Sequence, residues 1–324
     1  MPRYLCLLEC CARLSKYTAM ASLSHRQSWS LAVLLAVFPG LLCARADKDT
    51  SGITYRTGTS EVRVSFFATD EDNRLVQAID RNDFAVVDGD IVIRDFRSLT
   101  RSDETKLDVV VLVDASESVA PRFHAITDQV LRLISSNHSG DDLSIITFSG
   151  LRPAVLCTAD CSGAPIENKV RALTPAGATP LFDSLAFSAR YVADRHTPGV
   201  RQVLILLSDG NDTISGSSAR QALDAVIGTG VLLYTINPNK TARDLKGSLA
   251  LQEMADATGG RSFSAQDDAA DVLEAALADL RASYVVTYPL PSRTAGFHSL
   301  RILPKHNLNL RFHCRRGYFY DEVR

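Results

Sequence analysis

The sequence has no large excess of positive or negative charge, few cysteines after residue 46, and no long apolar run in that part of the chain. Its 324 residues contain 35 Lys and Arg against 37 Asp and Glu, a formal net charge of −2. That balance gives no electrostatic argument for binding nucleic acid or an anionic membrane. Four of the seven cysteines precede residue 47, and no Cys or His cluster has the spacing of a zinc site. Beyond residue 46 no segment approaches transmembrane length without charges or breakers, so we expect no transmembrane span in the mature chain.

The common sequence signatures of catalytic sites are also missing. The chain has no Gly-x-Ser-x-Gly nucleophile elbow, no Walker A loop, no Gly-x-Gly-x-x-Gly fingerprint and no His-Glu-x-x-His helix. A hydrolase or phosphotransferase that uses Asp114 as its nucleophile is one alternative. A site of the haloacid-dehalogenase type needs a second Asp at position 116, where this chain has Ser116. Because no nucleophile–base pair is evident, we predict that the protein is not an enzyme.

The amino terminus has the pattern of an export signal. Residues 29–38 form an apolar core of signal-peptide length, and Arg26 precedes them. Pro39 and Gly40 interrupt this core, and small residues suited to cleavage follow at positions 44–46. We therefore predict a protein that is secreted, periplasmic or on the cell surface.

Two features of this signal are left open by the sequence. Residues 1–46 are either a cleaved signal peptide or an uncleaved signal anchor, and Met20 is an alternative start to Met1. Residues 47–59 are predicted to be a linker.

Whether the cysteines after residue 46 can form a disulfide depends on the compartment to which the protein is exported. Cys157 and Cys161 bracket a short polar stretch at the end of a predicted strand. In an oxidising compartment they suit a local disulfide, and the alternative is a pair of ordinary thiols. A disulfide there closes a very small loop, so its entropic contribution to stability is small.

The stretch from Leu107 to Ser118 carries the strongest chemical pattern. Residues 109–113 are apolar and largely β-branched, which is typical of a strand buried on both faces of a parallel sheet. The run stops at Asp114, and hydroxyls follow at Ser116 and Ser118. In a loop that leaves the carboxyl end of a strand, this alternate spacing turns three oxygen atoms toward one point. Hard divalent cations such as Mg²⁺ prefer such ligands.

These residues resemble a known family. Asp-x-Ser-x-Ser after a buried strand resembles the first segment of the metal-ion-dependent adhesion site (MIDAS) of von Willebrand factor A (VWA) domains. Residues 177–181, Gly-Ala-Thr-Pro-Leu, resemble the loop whose Thr contributes second. Residues 204–212 resemble the fourth strand and its Asp-Gly turn, whose first Asp contributes third. The three segments occur in the family's order.

The resemblance implies a ligand set, a metal and a partner. The implied metal is Mg²⁺, with Mn²⁺ or Ca²⁺ in its place as alternatives, and the implied ligands are Asp114, Ser116, Ser118, Thr179 and Asp209. The hydroxyls are expected to bind directly, and the two acids directly or through water. An open coordination position then takes an Asp or Glu carboxylate from a partner protein.

Each of these residues also has a purely structural interpretation. Acids and hydroxyls at junctions between strands and helices commonly cap helices. Ser116 and Ser118 suit N-caps, and Thr179 suits a cap for a helix that begins at Leu181. Asp212 suits turn chemistry.

The rest of the chain predicts an α/β protein with flanking β segments. Strands alternate with helical stretches over residues 105–281, which predicts a doubly wound, mainly parallel, Rossmann-like sheet. Residues 60–100 read as a small antiparallel β unit, and residues 282–324 return to strands. We expect these two segments to pair as one β-sandwich beside the VWA domain, with two separate β lobes as the alternative.

The flanking segments extend the resemblance. Residues 70–76 and 80–89, together with the Arg-Arg-Gly-Tyr-Phe end at 315–319, resemble the exported VWA-related bacterial proteins first collected from acidobacteria. This implies a metal-dependent protein-interaction or adhesion module. The alternative is a structural cell-surface or assembly protein with a vestigial metal site.

Overall fold

The computed structural model describes residues 61–102, 106–136, 141–239, 245–264 and 269–320. The predicted signal segment, residues 1–46, and the predicted linker, residues 47–59, lie outside the described residues. The described strands are β1 (Glu61–Thr69), β2 (Phe84–Asp88), β3 (Ile91–Ile93), β4 (Ser98–Arg101), β5 (Lys106–Asp114), β6 (Asp142–Ser149), β7 (Arg152–Cys157), β8 (Val200–Leu207), β9 (Leu232–Asn237), β10 (Ser262–Ser264), β11 (Tyr284–Pro289), β12 (Gly296–Pro304), β13 (Arg311–Cys314) and β14 (Gly317–Tyr320). The described helices are α1 (Phe123–Ser136), α2 (Gly163–Arg171), α3 (Leu181–Asp194), α4 (Ala219–Thr229), α5 (Leu245–Thr258) and α6 (Ala269–Arg281), with a 3₁₀ helix at Glu117–Arg122.

A six-stranded sheet forms the centre of the fold, in the order β10-β9-β8-β5-β6-β7. Its strands are parallel except β7, which runs antiparallel to β6 at the edge, so the sheet is mainly parallel as predicted. Residues 109–113 of β5 and 203–207 of β8 are buried because helices cover both faces of the sheet. One apolar cluster packs α1, α2 and α6 on one face, and a second packs α3, α4 and α5 on the other. The predicted doubly wound α/β architecture is confirmed.

Two antiparallel sheets flank this α/β unit, in the orders β13-β1-β11-β4 and β14-β12-β2-β3. Their apolar residues, including Phe66, Phe84, Tyr288 and Ile302, form one shared buried cluster. Each sheet combines strands from both ends of the chain, since β1 pairs with β11 and β13, and β2 pairs with β12. The predicted β-sandwich of N- and C-terminal strands is therefore confirmed.

The prediction that residues 60–100 form one small antiparallel β unit is wrong in one respect. β1 lies in a different sheet from the β2–β3 hairpin, and β4 pairs with β11. The hydrogen-bonding edges of β1 and β2 are both completed by strands that follow residue 283, so this segment cannot form its sheets without them.

Smaller differences concern element boundaries. Pro121 lies in the 3₁₀ helix, and the regular helix α1 begins two residues later, at Phe123. Pro lacks the N–H of a regular helix interior, which suits the tighter turn that precedes α1. The sequence pattern did not reveal α2, because only Ile166 and Val170 in it are buried.

Cys157 and Cys161 are joined in a disulfide, with 5.8 Å between their Cα atoms. The bridge links the end of β7 to the segment before α2 and lies away from the residues predicted to bind metal. Cys314 is a free thiol in β13.

The described residues belong to one compact unit. The boundaries 60–100, 105–281 and 282–324 stay predictions. Within the described ranges, no helix combines the length and the apolar character needed to cross a membrane.

Candidate functional site

The predicted metal-binding residues follow two neighbouring strands of the central sheet. Asp114 is the last residue of β5, and Asp209 comes two residues after the end of β8. From β5 the chain proceeds through β6 and β7 to one edge, and from β8 through β9 and β10 to the other. β5 and β8 are therefore the adjacent strands at which the strand order reverses. Open α/β sheets bind ligands at the carboxyl ends of strands at this position.

The loop after β5 folds back on itself around Asp114. The backbone N–H of Ser116 donates to Asp114 Oδ1 at 2.9 Å. The Ser116 and Ser118 hydroxyl oxygens are 3.0 Å apart. Asp114 and Ser116 are fully buried, while Ser118 is exposed. The alternate spacing thus brings the three oxygen-bearing side chains into one local cluster, open to solvent on the Ser118 side.

Asp114 is a buried carboxyl group with a second acid nearby. The Ser208 hydroxyl donates to Asp114 Oδ2 at 2.7 Å, and the N–H of Gly210 donates to the same hydroxyl at 3.1 Å. Burial raises the pKa of Asp114 to about 6; hydrogen bonds from Ser116 and Ser208 oppose the rise, and repulsion from Asp209 adds to it. No salt bridge between described residues involves Asp114 or Asp209.

The loop that carries Thr179 is tied to both neighbouring loops. The N–H of Glu117 donates to the Gly177 carbonyl at 3.0 Å, which holds this loop beside the one that follows β5. The Thr179 N–H donates to the Thr213 hydroxyl oxygen at 2.8 Å, and the Thr179 carbonyl accepts from the Thr213 N–H at 2.9 Å. Thr179 is buried, and its backbone is fixed between the segments that supply Ser116 and Asp209.

The helix-capping interpretation does not fit Ser116 or Thr179. Ser116 occupies the N-cap of the 3₁₀ helix but makes no side-chain cap bond. The N-cap of α3 is Pro180, so Thr179 stands outside the helix. Asp212 supplies the side-chain bond that α3 needs, since its Oδ1 accepts from the N–H of Phe182 at 3.3 Å. The hydroxyls of Ser116 and Thr179 therefore do not cap a helix, so helix capping does not explain why these residues are present.

Two residues of the site were not singled out from the sequence. Ser208 bonds to Asp114 across the β5–β8 pair, and Thr213 clamps the backbone of Thr179. A polar residue at the buried end of a strand was the available signal for Ser208. Nothing in the sequence distinguishes Thr213 from an ordinary loop threonine.

The donor set fits a hard divalent cation. It offers two carboxylates and three hydroxyls, all oxygen, at a place where the acids repel each other and form no salt bridge with any residue that the structure describes. Throughout the described ranges, no three His, Cys, Asp or Glu side chains converge on one point. The site therefore resembles neither a zinc centre nor an all-carboxylate calcium cage. Mg²⁺, which shares few carboxylates and keeps several waters, suits it best.

Comparison with known proteins gives a family match over this part of the chain. The family model of the von Willebrand factor type A domain matches residues 109–211, from within β5 to just past Asp209. The chain carries a von Willebrand factor type A domain. The match takes in all five predicted ligands and stops short of both flanking β segments. No curated protein matches the chain significantly.

Several solved structures are similar to this VWA protein at low identity. An aerotolerance-related membrane protein from Bacteroides fragilis is 18% identical, with 54% of this chain and 98% of that one covered and a TM-score of 0.43. Manganese-loaded TRAP protein from Plasmodium vivax is 17% identical, with 74% and 100% covered and a TM-score of 0.43. A von Willebrand factor type A protein from Catenulispora acidiphila is 13% identical, with 82% and 76% covered and a TM-score of 0.46. Similarity of this degree says nothing about function.

Proposed function

We propose that this VWA protein is an exported, metal-dependent protein-interaction or adhesion module that binds a carboxylate of a partner protein. The observation that carries the proposal is the buried pair Asp114 and Asp209, which adjoins hydroxyl groups and makes no salt bridge within the described ranges. Buried charges in proteins are normally paired or bound to metal, because isolation from water is costly. A divalent cation supplies the missing positive charge.

The residues of the site have separate roles in this proposal. The hydroxyls of Ser116, Ser118 and Thr179 hold the cation directly. Asp114 and Asp209 balance its charge, either directly or through water, while Ser208 fixes the orientation of Asp114. Because the direct ligands in this proposal are neutral hydroxyls, a Mg²⁺ ion held there would still attract a further oxygen ligand that carries a negative charge. A carboxylate from the partner is the natural occupant of the position on the exposed Ser118 side.

A cation at this site should raise the stability of the folded protein. We expect the midpoint of thermal unfolding to rise when EDTA is replaced by millimolar Mg²⁺ or Mn²⁺, since a ligand that binds only the native state stabilises it by about 2.7 kcal/mol at a hundredfold excess over its dissociation constant. The Asp114→Ala, Ser116→Ala double variant should lose the shift. The measurement is differential scanning fluorimetry of the mature chain in both conditions.

Glu117→Gln is the matched control, because Glu117 lies between two of the ligands and has an exposed side chain. It removes one negative charge from the same loop and should keep the metal-dependent shift. An equal loss in Glu117→Gln would mean that general surface charge, and not the site, attracts the cation. No shift in the wild type would favour the alternative, a structural or assembly protein with a vestigial site.

The partner's carboxylate requires its own test. A peptide array in Mg²⁺, in which each Asp or Glu is paired with its Asn or Gln isostere, should retain the protein only on acidic spots and release it in EDTA. Equal retention on the acidic spots and on their Asn or Gln counterparts would refute carboxylate recognition. It would not bear on metal binding.

A further inference from the structure

Two exposed apolar side chains stand on loops beside the proposed metal site. Leu151 follows Gly150 in the turn that joins β6 to β7, and Ile214 lies in the loop after β8, among Thr, Ser and Gly residues. Their exposed fractions are 80% and 45%, and Leu151 is the most exposed large apolar residue in the described part of the chain. Turns usually carry Gly, Pro, Asn, Asp or Ser, whose backbone and hydrogen-bonding properties suit them. Turn geometry therefore does not account for an aliphatic side chain at either position.

Hydrogen bonds hold both loops against the segment that carries Thr179. The N–H of Gly150 donates to the Ala178 carbonyl at 2.8 Å. On the next residue, the Thr179 carbonyl accepts from the N–H of Thr213 at 2.9 Å. Each apolar residue directly follows one of these two donors in the chain. Because consecutive Cα atoms are about 3.8 Å apart, the Cα atom of each apolar residue lies within about 15 Å of that of Thr179.

The two apolar side chains belong to opposite sides of the metal site. The central sheet has the strand order β8-β5-β6, so Asp114, at the end of β5, stands between the loop after β8 and the turn after β6. The loop that joins these two sides reads Ala-Gly-Ala over residues 176–178, and its first two residues are exposed. This loop therefore puts no bulky side chain between the two apolar residues.

Contact with these side chains gives a partner something that the metal does not. A carboxylate bound to a cation is a feature that every acidic segment can supply, so it distinguishes poorly between partners. Removing apolar surface from water is favourable and takes up no position on the cation. Exposed apolar side chains within a polar surface are a common feature of protein-interaction sites.

From these observations we propose that Leu151 and Ile214 select the partner by contacting apolar side chains on both sides of its metal-bound Asp or Glu. An extended chain advances about 3.3–3.6 Å per residue, so the apolar residues of the partner stand about two to four positions before and after the acid. The partner is thus an extended segment with a single acid between apolar residues. This inference rests on the proposed function, because the acid must be at the metal site for its neighbours to reach the two side chains.

The test uses synthetic peptides and the full mature chain in Mg²⁺. Each peptide carries a single Glu in a Gly-Ser chain, with either Leu or Ser placed about two to four positions away on both sides. Fluorescence anisotropy should show that Leu-flanked peptides bind about tenfold more tightly than Ser-flanked peptides, the effect expected from partial burial of one or two aliphatic side chains. Leu151→Ser should lose most of this preference, and Ile214→Ser should lose part of it.

Leu308→Ser is the matched control, because Leu308 is 76% exposed in the loop between β12 and β13, in the β-sandwich. It should keep the preference of the wild type. The Mg²⁺-dependent rise in the unfolding midpoint should persist in all three variants, since none of the changed residues holds the cation.

The outcomes separate this inference from the proposed function. Equal binding of Leu-flanked and Ser-flanked peptides, or an equal loss of preference in Leu308→Ser, would overturn the inference and leave metal-dependent carboxylate binding in place. Binding that persists in EDTA, or when Gln replaces Glu, would contradict the proposed function as well. No binding of any peptide up to about 1 mM would overturn the inference, and the metal-dependent stability shift would then decide the proposed metal site separately.

Discussion

The ionisation of the Asp114 carboxyl group depends strongly on the residues that surround it. The same carboxyl at a surface turn would titrate in the ordinary range, but here burial raises its pKa to about 6. Ser208 and Ser116 both donate to it, which favours the ionised form, and Asp209 disfavours that form. The pKa of Asp114 thus lies near neutral pH, so binding of a cation beside it would favour the ionised carboxylate over the protonated form.

Metal affinity should therefore fall with acidification. A proton on Asp114 competes with the cation, so the apparent Mg²⁺ affinity is expected to be constant above about pH 7 and to drop by up to tenfold per pH unit below about 6. Without metal the sign of the stability effect is reversed. The folded-state pKa is raised above the ordinary value, so the stabilising contribution is fully present below about pH 3.8 and is lost as pH rises to about 6.

Calorimetric Mg²⁺ titrations from pH 5 to 7.5, and urea unfolding in a chelator from pH 4 to 7, check both halves of this prediction. Asp114→Asn is the control, because its amide does not titrate. A wild-type profile parallel to that of Asp114→Asn would show that Asp114 does not titrate in this range.

At the scale of elements, the start of α3 links helix stability to the site. The helix begins at Leu181, directly after Thr179 and Pro180, and lacks a side-chain cap from its own N-cap residue. Asp212, from the loop that follows β8, accepts from the N–H of Phe182 and from the Ser215 hydroxyl. The loop after one strand therefore caps the helix that follows the Thr179 loop.

Asp212→Ala should thus destabilise the protein by about 1 kcal/mol, the usual cost of a lost helix cap. It should also weaken Mg²⁺ binding, because fraying of the first turn loosens Thr179. Urea unfolding and metal titration measure the two effects. Asp224→Ala is the control: it removes an exposed ion pair with Arg220 within α4, and its cost should stay below about 0.5 kcal/mol. Unchanged metal affinity in Asp212→Ala would show that the cap of α3 has no effect on metal binding.

At the scale of the whole molecule, a glycine marks where the α/β unit meets the C-terminal strands. Gly259 follows α5 with φ +88°, and a Cβ there would lie 2.4 Å from the Cys314 carbonyl carbon and 2.6 Å from the Arg315 nitrogen. The N–H of Arg316 donates to the Ala257 carbonyl nearby at 2.8 Å. Backbone approaches this close leave no room for any side chain.

Gly259→Ala is accordingly expected to cost more than about 2 kcal/mol, from left-handed strain plus the displaced backbone. Gly199→Ala is a matched control, since Gly199 has a similar φ of +82° and no atom within 4 Å of a Cβ. That change should cost only about 1 kcal/mol, the price of the backbone conformation alone. Denaturant unfolding of both variants gives the comparison, and equal losses would mean that the close approach is relieved without cost.

The α/β architecture and most of the predicted site residues can be read from the amino-acid pattern alone. Uninterrupted apolar runs at residues 109–113 and 203–207 are buried on both faces, and such runs have one common solution, a covered parallel sheet. The polar residues that follow these runs had to lie at one edge of that sheet. Asp114 and Asp209 were therefore predictable as neighbours before any coordinate was known.

Which distant strands pair, and which distant side chains bond, is seen only in the folded molecule. The division of residues 60–100 between two sheets depends on strands more than 180 residues away, and no local pattern encodes which edge they complete. The hydrogen bond from Ser208 to Asp114 and the clamp of Thr213 on Thr179 both join residues that are far apart in the chain. Local periodicity specifies which face of an element is buried, whereas the packing of whole elements decides what it is buried against.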